Sequence, residues 1–414
     1  MLKSFKQYYH WLVAVLVFLE MIVFGGLINS ASVYIRPISE GLGVTTTSYS
    51  VAMMPYTVSC FVATSLSGFF FTRFGYKKTT ICSLIVVGIS LLLTAFSKNL
   101  VMFCFSKILF GIGYGACFTA GSVRIVRDWF HKHQGLILGA VSMATGLGGS
   151  LMTILLTAVI QKSGWRAANI LAAALIALVA VLYLLLKDRP EQMGLRPFGF
   201  GQLPGATKKQ QNMNGPDIPM SKHLRRPMFY IMCACVLGSC VCIYTTTSFI
   251  SPHFQSQGYT PERAAVFQST HMLALAVVKL TVGFLHDRFG VKPVMIGCML
   301  CAVVGQLALS ITNDPTICMI AVVVLGAGLC MSSIMIPLIA LPLFGNKACL
   351  QLNGIFLGLS SFSSLFSNLI SSMCYDRFGV YTPVYRVAPF INLGILGVYL
   401  LMFAVVKKKE AISK

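Results

Sequence analysis

Apolar runs of about twenty residues recur along the whole chain, near 11–35, 49–71, 79–97, 100–123, 135–160, 167–186, 228–251, 264–285, 293–311, 316–342, 350–374 and 384–406. Crossing a hydrocarbon core roughly 30 Å thick takes a helix of about 20 such residues. The runs are uniformly apolar, where barrel strands would alternate over about 10 residues. They therefore predict an all-α integral membrane protein with twelve transmembrane helices, and an even number of crossings puts both termini on one side. With 56% hydrophobic and 10% charged residues and a mean hydropathy of +0.79, the chain cannot cover a soluble surface. The first run is too long for a signal peptide and lacks a small-residue cleavage site, so it reads as a retained span.

The net charge of +21 has a membrane explanation. With the N-terminus in the cytosol, most of the 32 Lys and Arg residues fall in inner loops, the asymmetry that sets orientation. The expectation is a multi-pass protein of the cell membrane with both termini cytosolic, its basic loops and Lys407-Lys408-Lys409 tail set against the anionic headgroups of the lipid bilayer. No nucleic acid partner is called for.

The polar stretch 187–226 holds Pro190, Pro197, Pro204, Pro216, Pro219 and Gln210-Gln211-Asn212. It cannot bury enough apolar area to fold alone and reads as a cytosolic linker between two six-helix bundles, 1–186 and 227–414. It carries no Walker-type loop, so neither ATP nor another cofactor is expected. The 14 cysteines lie mostly within spans, as Cys233, Cys235, Cys240 and Cys242 do, where a free thiol is a small packing group. Cys298-x-x-Cys301 has no carboxylate or His neighbours, so no metal site is expected.

The two halves repeat each other. Gly68-Phe-Phe-Phe-Thr72-Arg73-Phe-Gly75-Tyr-Lys77-Lys78 shares its Gly, Arg, Gly and basic spacing with Gly283-Phe-Leu-His-Asp287-Arg288-Phe-Gly290-Val-Lys292. Gly111-Ile-Gly113-Tyr-Gly115, leading to Trp129-Phe130 and Gly135 to Gly139, is echoed by Gly326-Ala-Gly328, Leu343-Phe344 and Gly354 to Gly358. Small residues at such spacing let helices approach closely, and a parallel repeat of six spans is a transporter signature.

Few ionisable groups interrupt the spans. Lys279 is eight residues from Asp287, about 12 Å at 1.5 Å per residue, and so close to mid-bilayer. A charge there costs about 2.5–3.5 kcal/mol on insertion scales and is normally tied to a counter-ion or a wet cavity, unless it snorkels. Glu20 can pair with a lysine or carry a proton. Lys107 lies nearer the outer face, where snorkelling competes with a functional role. His271, two turns before Lys279, can titrate near neutrality or pack. Glu20, His271 and Lys107 are the candidates for coupling to a proton. No Ser-His-Asp set or His-rich cluster has credible spacing, so an enzyme is not expected.

The paired turn motifs, the Gly111-x-Gly113-x-Gly115 run and the six-plus-six layout resemble the major facilitator superfamily over essentially the whole chain. The resemblance implies alternating access around a site between the two halves. Trp129-Phe130-His-Lys-His-Gln-Gly135, Gly164-Trp165-Arg166, Arg189-Pro190-Glu191-x-x-Gly194-Leu-x-Pro197 and Tyr375-Asp376-Arg377-Phe-Gly379-Val-Tyr381 resemble, more narrowly, the oxalate/formate antiporter and monocarboxylate transporter group. That group places a cation, usually arginine, four residues before the motif glycine of its eighth span, where it binds the substrate carboxylate. Lys279 stands at that spacing from Gly283.

Lysine is a departure, since Arg offers a fixed fork and Lys a point charge. The eleventh span carries no second cation, which favours a single anionic group and disfavours oxalate. Where eukaryotic members place a lysine in the first span, counting back from Arg36 gives Asn29, a candidate for lining the cavity. Tyr114, Tyr244, Ser332 and Ser333 are polar groups on spans that border the cavity in this family.

Gly68, Arg73, Gly75, Gly283, Asp287, Arg288 and Gly290 form the implied conformational gate, with Thr72 where the second half has Asp287. These readings converge on a secondary transporter of a small organic anion, a monocarboxylate, by proton symport or by exchange for a counter-anion. The alternatives are an efflux carrier for lipophilic or cationic compounds and a transporter-like membrane sensor.

Overall fold

The structure is a computed structural model of the 414-residue chain; the residues described are 2–130, 134–198, 224–332, 334–344 and 346–412. The described residues are mostly helical. Helices α1 (Leu2–Asn29), α2 (Thr46–Phe74), α3 (Tyr76–Ala95) and α4 (Leu100–Trp129) precede a helix from Gln134 to Tyr183 that is interrupted at Gly164. Its pieces are α5 (134–163) and α6 (165–183). Then come α7 (Pro227–Thr247), α8 (Pro261–Phe289), α9 (Val291–Ile311), α10 (Pro315–Leu329), α11 (Asn346–Phe378) and α12 (Thr382–Ile412).

Among the described residues, eleven stretches are long and apolar enough to cross a membrane, and one of them, Gly139–Tyr183, has 45 residues. A straight helix of that length would measure about 68 Å, twice a bilayer core. Gly164 breaks it with φ 81° and ψ 167°, a backbone conformation open essentially to glycine alone, and this yields the twelfth span. Side chains turned outward are hydrocarbon, including Val101, Phe390 and Leu401 at 78%, 68% and 67% exposure, while serines, threonines and carboxamides lie inside. This inversion of a soluble surface identifies a multi-pass membrane protein.

Local sequence sets the helix starts. Thr45 accepts the Ser48 N–H at 3.1 Å, Asn99 the Met102 N–H at 2.9 Å, and Asp314 those of Thr316 and Ile317 at 2.9 and 3.1 Å, satisfying donors a helix N-terminus leaves open.

Packing divides the chain into two compact units, Met1–Gly205 with Pro261–Ala276, and Ala206–Thr260 with Val277–Lys414. In the first, α1 packs on α5 and α2 on α4. Glycines allow the approach: a Cβ on Gly148 would stand 2.0 Å from the Ile22 carbonyl oxygen, and one on Gly115 2.4 Å from that of Cys60. In the second, α9 packs on α10 and α12, and α7 on α11 and α12. A buried polar ladder ties that unit together. Gln306 donates to the Cys242 carbonyl and the Thr246 hydroxyl, both at 3.0 Å, and Asn392 donates to Gln306 at 3.1 Å.

The stretch read as linker begins on the first unit. Pro190–Met193 is a 3-10 turn, the Phe198 N–H donates to the Trp129 carbonyl at 2.9 Å, and His10 Nε2 lies 3.0 Å from the Arg196 carbonyl. Residues 199–223 lie outside the described residues.

Candidate substrate and coupling sites

Lys279 lies on the part of α8 that belongs to the second unit and is half-buried. Its ammonium lies near the Cys330 thiol. Cys330 opens a 3-10 turn, Cys330–Ser332, that ends α10 and separates it from the short helix Met335–Phe344. A tight turn inside what would otherwise be one span marks a place where the helix departs from its ladder. On that turn the Ser332 carbonyl accepts from Ser360 Oγ at 2.7 Å, and Ser360 Oγ lies 3.2 Å from the Tyr244 hydroxyl. Cys240 Sγ donates to Ser360 at 3.4 Å. Tyr244 and Ser332 therefore meet through Ser360 on α11, in the same unit as Lys279. Ser333 lies outside the described residues.

Glu20 sits in the first unit with no exposed surface. Its carboxylate accepts from the hydroxyls of Tyr183 and Tyr76, the latter at 3.3 Å, and from Cys117 Sγ at 2.9 Å. Four helices, α1, α3, α4 and α6, converge on it. A carboxyl group sealed in this way is held by neutral donors, which satisfy its oxygens.

Asn29 donates to the Thr145 carbonyl at 2.9 Å, joining the end of α1 to α5. Tyr114 belongs to an aromatic row, stacked on Phe118 with centroids 4.5 Å apart and near Phe24 and Tyr56 at 5.9 and 6.3 Å. Lys107 is enclosed between the rings of Phe103 and Phe110. His271 is fully buried on the part of α8 grouped with the first unit.

The turn glycines share one conformation, φ 82° and ψ 165° at Gly75 and φ 81° and ψ 175° at Gly290, so the repeat read in sequence is also a repeat of backbone. Gly68 and Gly283 are helical, as is Asp287 near the end of α8. Arg73 is exposed, and Arg288 lies over the Phe289 ring at 5.3 Å. In the first half, where Thr72 replaces the aspartate, Asp188 from beyond α6 accepts the Lys77 N–H, and Lys77 Nζ donates to the Leu184 carbonyl at 2.6 Å.

Comparison with known proteins agrees with this architecture. The model of the Major Facilitator Superfamily matches residues 11–275 and 245–414. The chain belongs to this superfamily. An uncharacterized MFS-type transporter of Escherichia coli, YhjX, is 25% identical over 60% of this chain, and the match spans 59% of its own length. The gallate transporter of Pseudomonas putida is 23% identical over 87% of this chain and 85% of its own. The 4-hydroxybenzoate transporter PcaK of Acinetobacter baylyi is 24% identical over 78% and 75%. Among solved structures, that of the nucleoside transporter NupG aligns with a TM-score of 0.71 over 95% of this chain and 98% of its own, at 14% identity.

Several residues of this superfamily member were not singled out from sequence. Tyr76 lies inside the turn motif, between Gly75 and Lys77, and so carried a signal. Cys117, Tyr183, Cys330 and Ser360 carried none. Among the described residues no group of three or more His, Cys, Asp or Glu could hold a metal ion.

Proposed function

We propose that the protein is a secondary transporter of a small organic anion bearing one carboxylate, with Lys279 as the carboxylate site and Tyr244, Ser332 and Ser360 orienting the rest of the molecule. The observation that carries this reading is a half-buried lysine in an apolar helix beside the turn Cys330–Ser332. A cation at that depth is costly unless a counter-ion or a wet cavity attends it, and the hydroxyls nearby supply donors and acceptors for a polar ligand. Relatives named for gallate and 4-hydroxybenzoate support an organic acid as cargo. Transport proceeds by alternating access of two six-helix bundles, with both termini in the cytosol and with proton symport or anion exchange as the driving step. Glu20, Lys107 and His271 are the coupling candidates. Glu20 makes its hydrogen bonds inside the first unit, to Tyr76, Cys117 and Tyr183.

Uptake of labelled formate, acetate, lactate, pyruvate, benzoate and oxalate into proteoliposomes tests this, with and without a proton gradient or internal counter-anion. Saturable uptake of a monocarboxylate is expected, falling at least about tenfold in Lys279→Ala, which corresponds to about 1.4 kcal/mol. Lys279→Arg should retain uptake with altered preference, because the charge persists and its geometry changes. Uptake of none of these acids, or uptake indifferent to Lys279→Ala, overturns the proposal.

A further inference from the structure

The first unit holds a second enclosed cation, which makes no hydrogen bond or ion pair among the described residues. Lys107 is 9% exposed on α4. Its ammonium stands 5.0 Å from the centroid of Phe103 and 5.6 Å from that of Phe110. Two ring faces stabilise a cation by about 0.5–2 kcal/mol, and a lysine enclosed within a span is normally tied to a counter-ion or a wet cavity unless it snorkels.

Among the described residues, Lys107 makes no ion pair with a carboxylate. Helices α2, α3, α5 and α6 contain no Asp or Glu. Glu20 on α1 is bonded to Cys117, ten residues further along α4 and so about 15 Å from Lys107. Asp128 lies still further along the same helix. Glu40, 75% exposed, faces Arg36 at 4.0 Å. The nearest hydroxyl on α4 is also occupied, since Ser106 Oγ donates to the Phe103 carbonyl at 2.6 Å and pairs with Thr94 Oγ1 at 2.9 Å.

Further donors face the same wall. Tyr49 packs against Phe103 with centroids 5.3 Å apart and is 5% exposed. The Tyr34 phenol is near enough to Tyr49 to interact with it. The Tyr34 hydroxyl is buried and makes no hydrogen bond. Lys107 thus packs on Phe103, Phe103 on Tyr49, and Tyr49 neighbours the unbonded Tyr34 phenol, although buried polar groups in proteins are ordinarily bonded.

We propose that this enclosure on α2 and α4, closed by the short segment after α1, binds a small anion. Lys107 supplies the charge, Tyr34 a hydroxyl donor, and the rings of Tyr49, Phe103 and Phe110 the walls. A carboxylate and a halide share the required chemistry, and the aromatic walls also accommodate the ring of an aromatic acid. The site is independent of Lys279, so the anion held here is distinct from the cargo assigned to the second unit.

The test is equilibrium binding of radiolabelled chloride and of radiolabelled benzoate to the purified chain in lipid nanodiscs. It is performed on Lys279→Ala, so that failure of the carboxylate site in the second unit does not affect it. Saturable binding of at least one probe is expected, with Kd raised at least about tenfold by Lys107→Met, some 1.4 kcal/mol, and several-fold by Tyr34→Phe. Lys107→Arg should retain binding. Chloride alone would assign the site to an inorganic anion, and benzoate alone to an organic acid; both support it. Should Lys107→Met fail to fold, Tyr34→Phe, which removes one oxygen, decides the matter alone. Absence of saturable binding of either probe, or binding that neither Lys107→Met nor Tyr34→Phe weakens, overturns the proposal.

Discussion

Glu20 shows how much a single side chain can organise. Its two carboxylate oxygens collect donors from three other helices, through Tyr76, Cys117 and Tyr183, at a position with no exposed surface. Removing an acceptor from such a cluster leaves buried donors unsatisfied, at about 1–3 kcal/mol, whereas an isosteric amide keeps one oxygen in place. Glu20→Leu should therefore lower the thermal unfolding midpoint in detergent by several degrees, and Glu20→Gln by clearly less. Equal midpoints for the two would show that the carboxyl oxygens are not what holds these helices. A lone acid in an apolar run announced Glu20 in the sequence. Its partners were not legible, because they lie 56, 97 and 163 residues away and two of them sit in spans where a tyrosine or a thiol reads as ordinary packing. Lys279 was legible for the same reason as Glu20, and Cys330 was missed for the same reason as Cys117.

At the scale of elements, the turns were easier to read than the helix interruptions. The Gly-x-x-x-x-Arg-x-Gly spacing ends α2 and α8, and both turns use a backbone conformation that side chains with a Cβ avoid. At Gly290 nothing lies within 4 Å of where a Cβ would be, so any penalty there comes from the backbone alone. Gly290→Ala should then cost about 1–3 kcal/mol, seen as a lowered unfolding midpoint; an unchanged midpoint would mean that the turn relaxes to another conformation. At Gly75 a Cβ would also meet Asp188 Oδ2 at 2.9 Å. That carboxylate bonds the first-half turn, whose motif carries Thr72 in place of an acid, and nothing in local spacing could reveal a partner from beyond α6. The 3-10 turn at Cys330–Ser332 was likewise hidden, because the apolar run 316–342 passes through it with only serines to mark the place.

For the molecule as a whole, hydrophobic periodicity and charge placement act on different questions. Periodicity fixes the number of crossings, and here it needed only the Gly164 break to separate α5 from α6. It says nothing about which face of the membrane each end meets. Orientation rests on the distribution of Lys and Arg, since moving short basic loops across a bilayer is disfavoured. Helix α2 has 29 residues, about 43 Å at 1.5 Å per residue, so the segments at its two ends belong on opposite sides of a membrane. Glu40, in the short helix Ile35–Leu42 before it, and Lys78, just after it, are both exposed. With the termini in the cytosol, Glu40→Cys should react with a membrane-impermeant maleimide in intact cells, and Lys78→Cys only after permeabilisation. The opposite labelling pattern would invert the orientation proposed for the termini while leaving the helical architecture untouched. Reaction of both residues in intact cells would instead show that α2 does not separate two compartments, and would require the twelve-span reading itself to be abandoned.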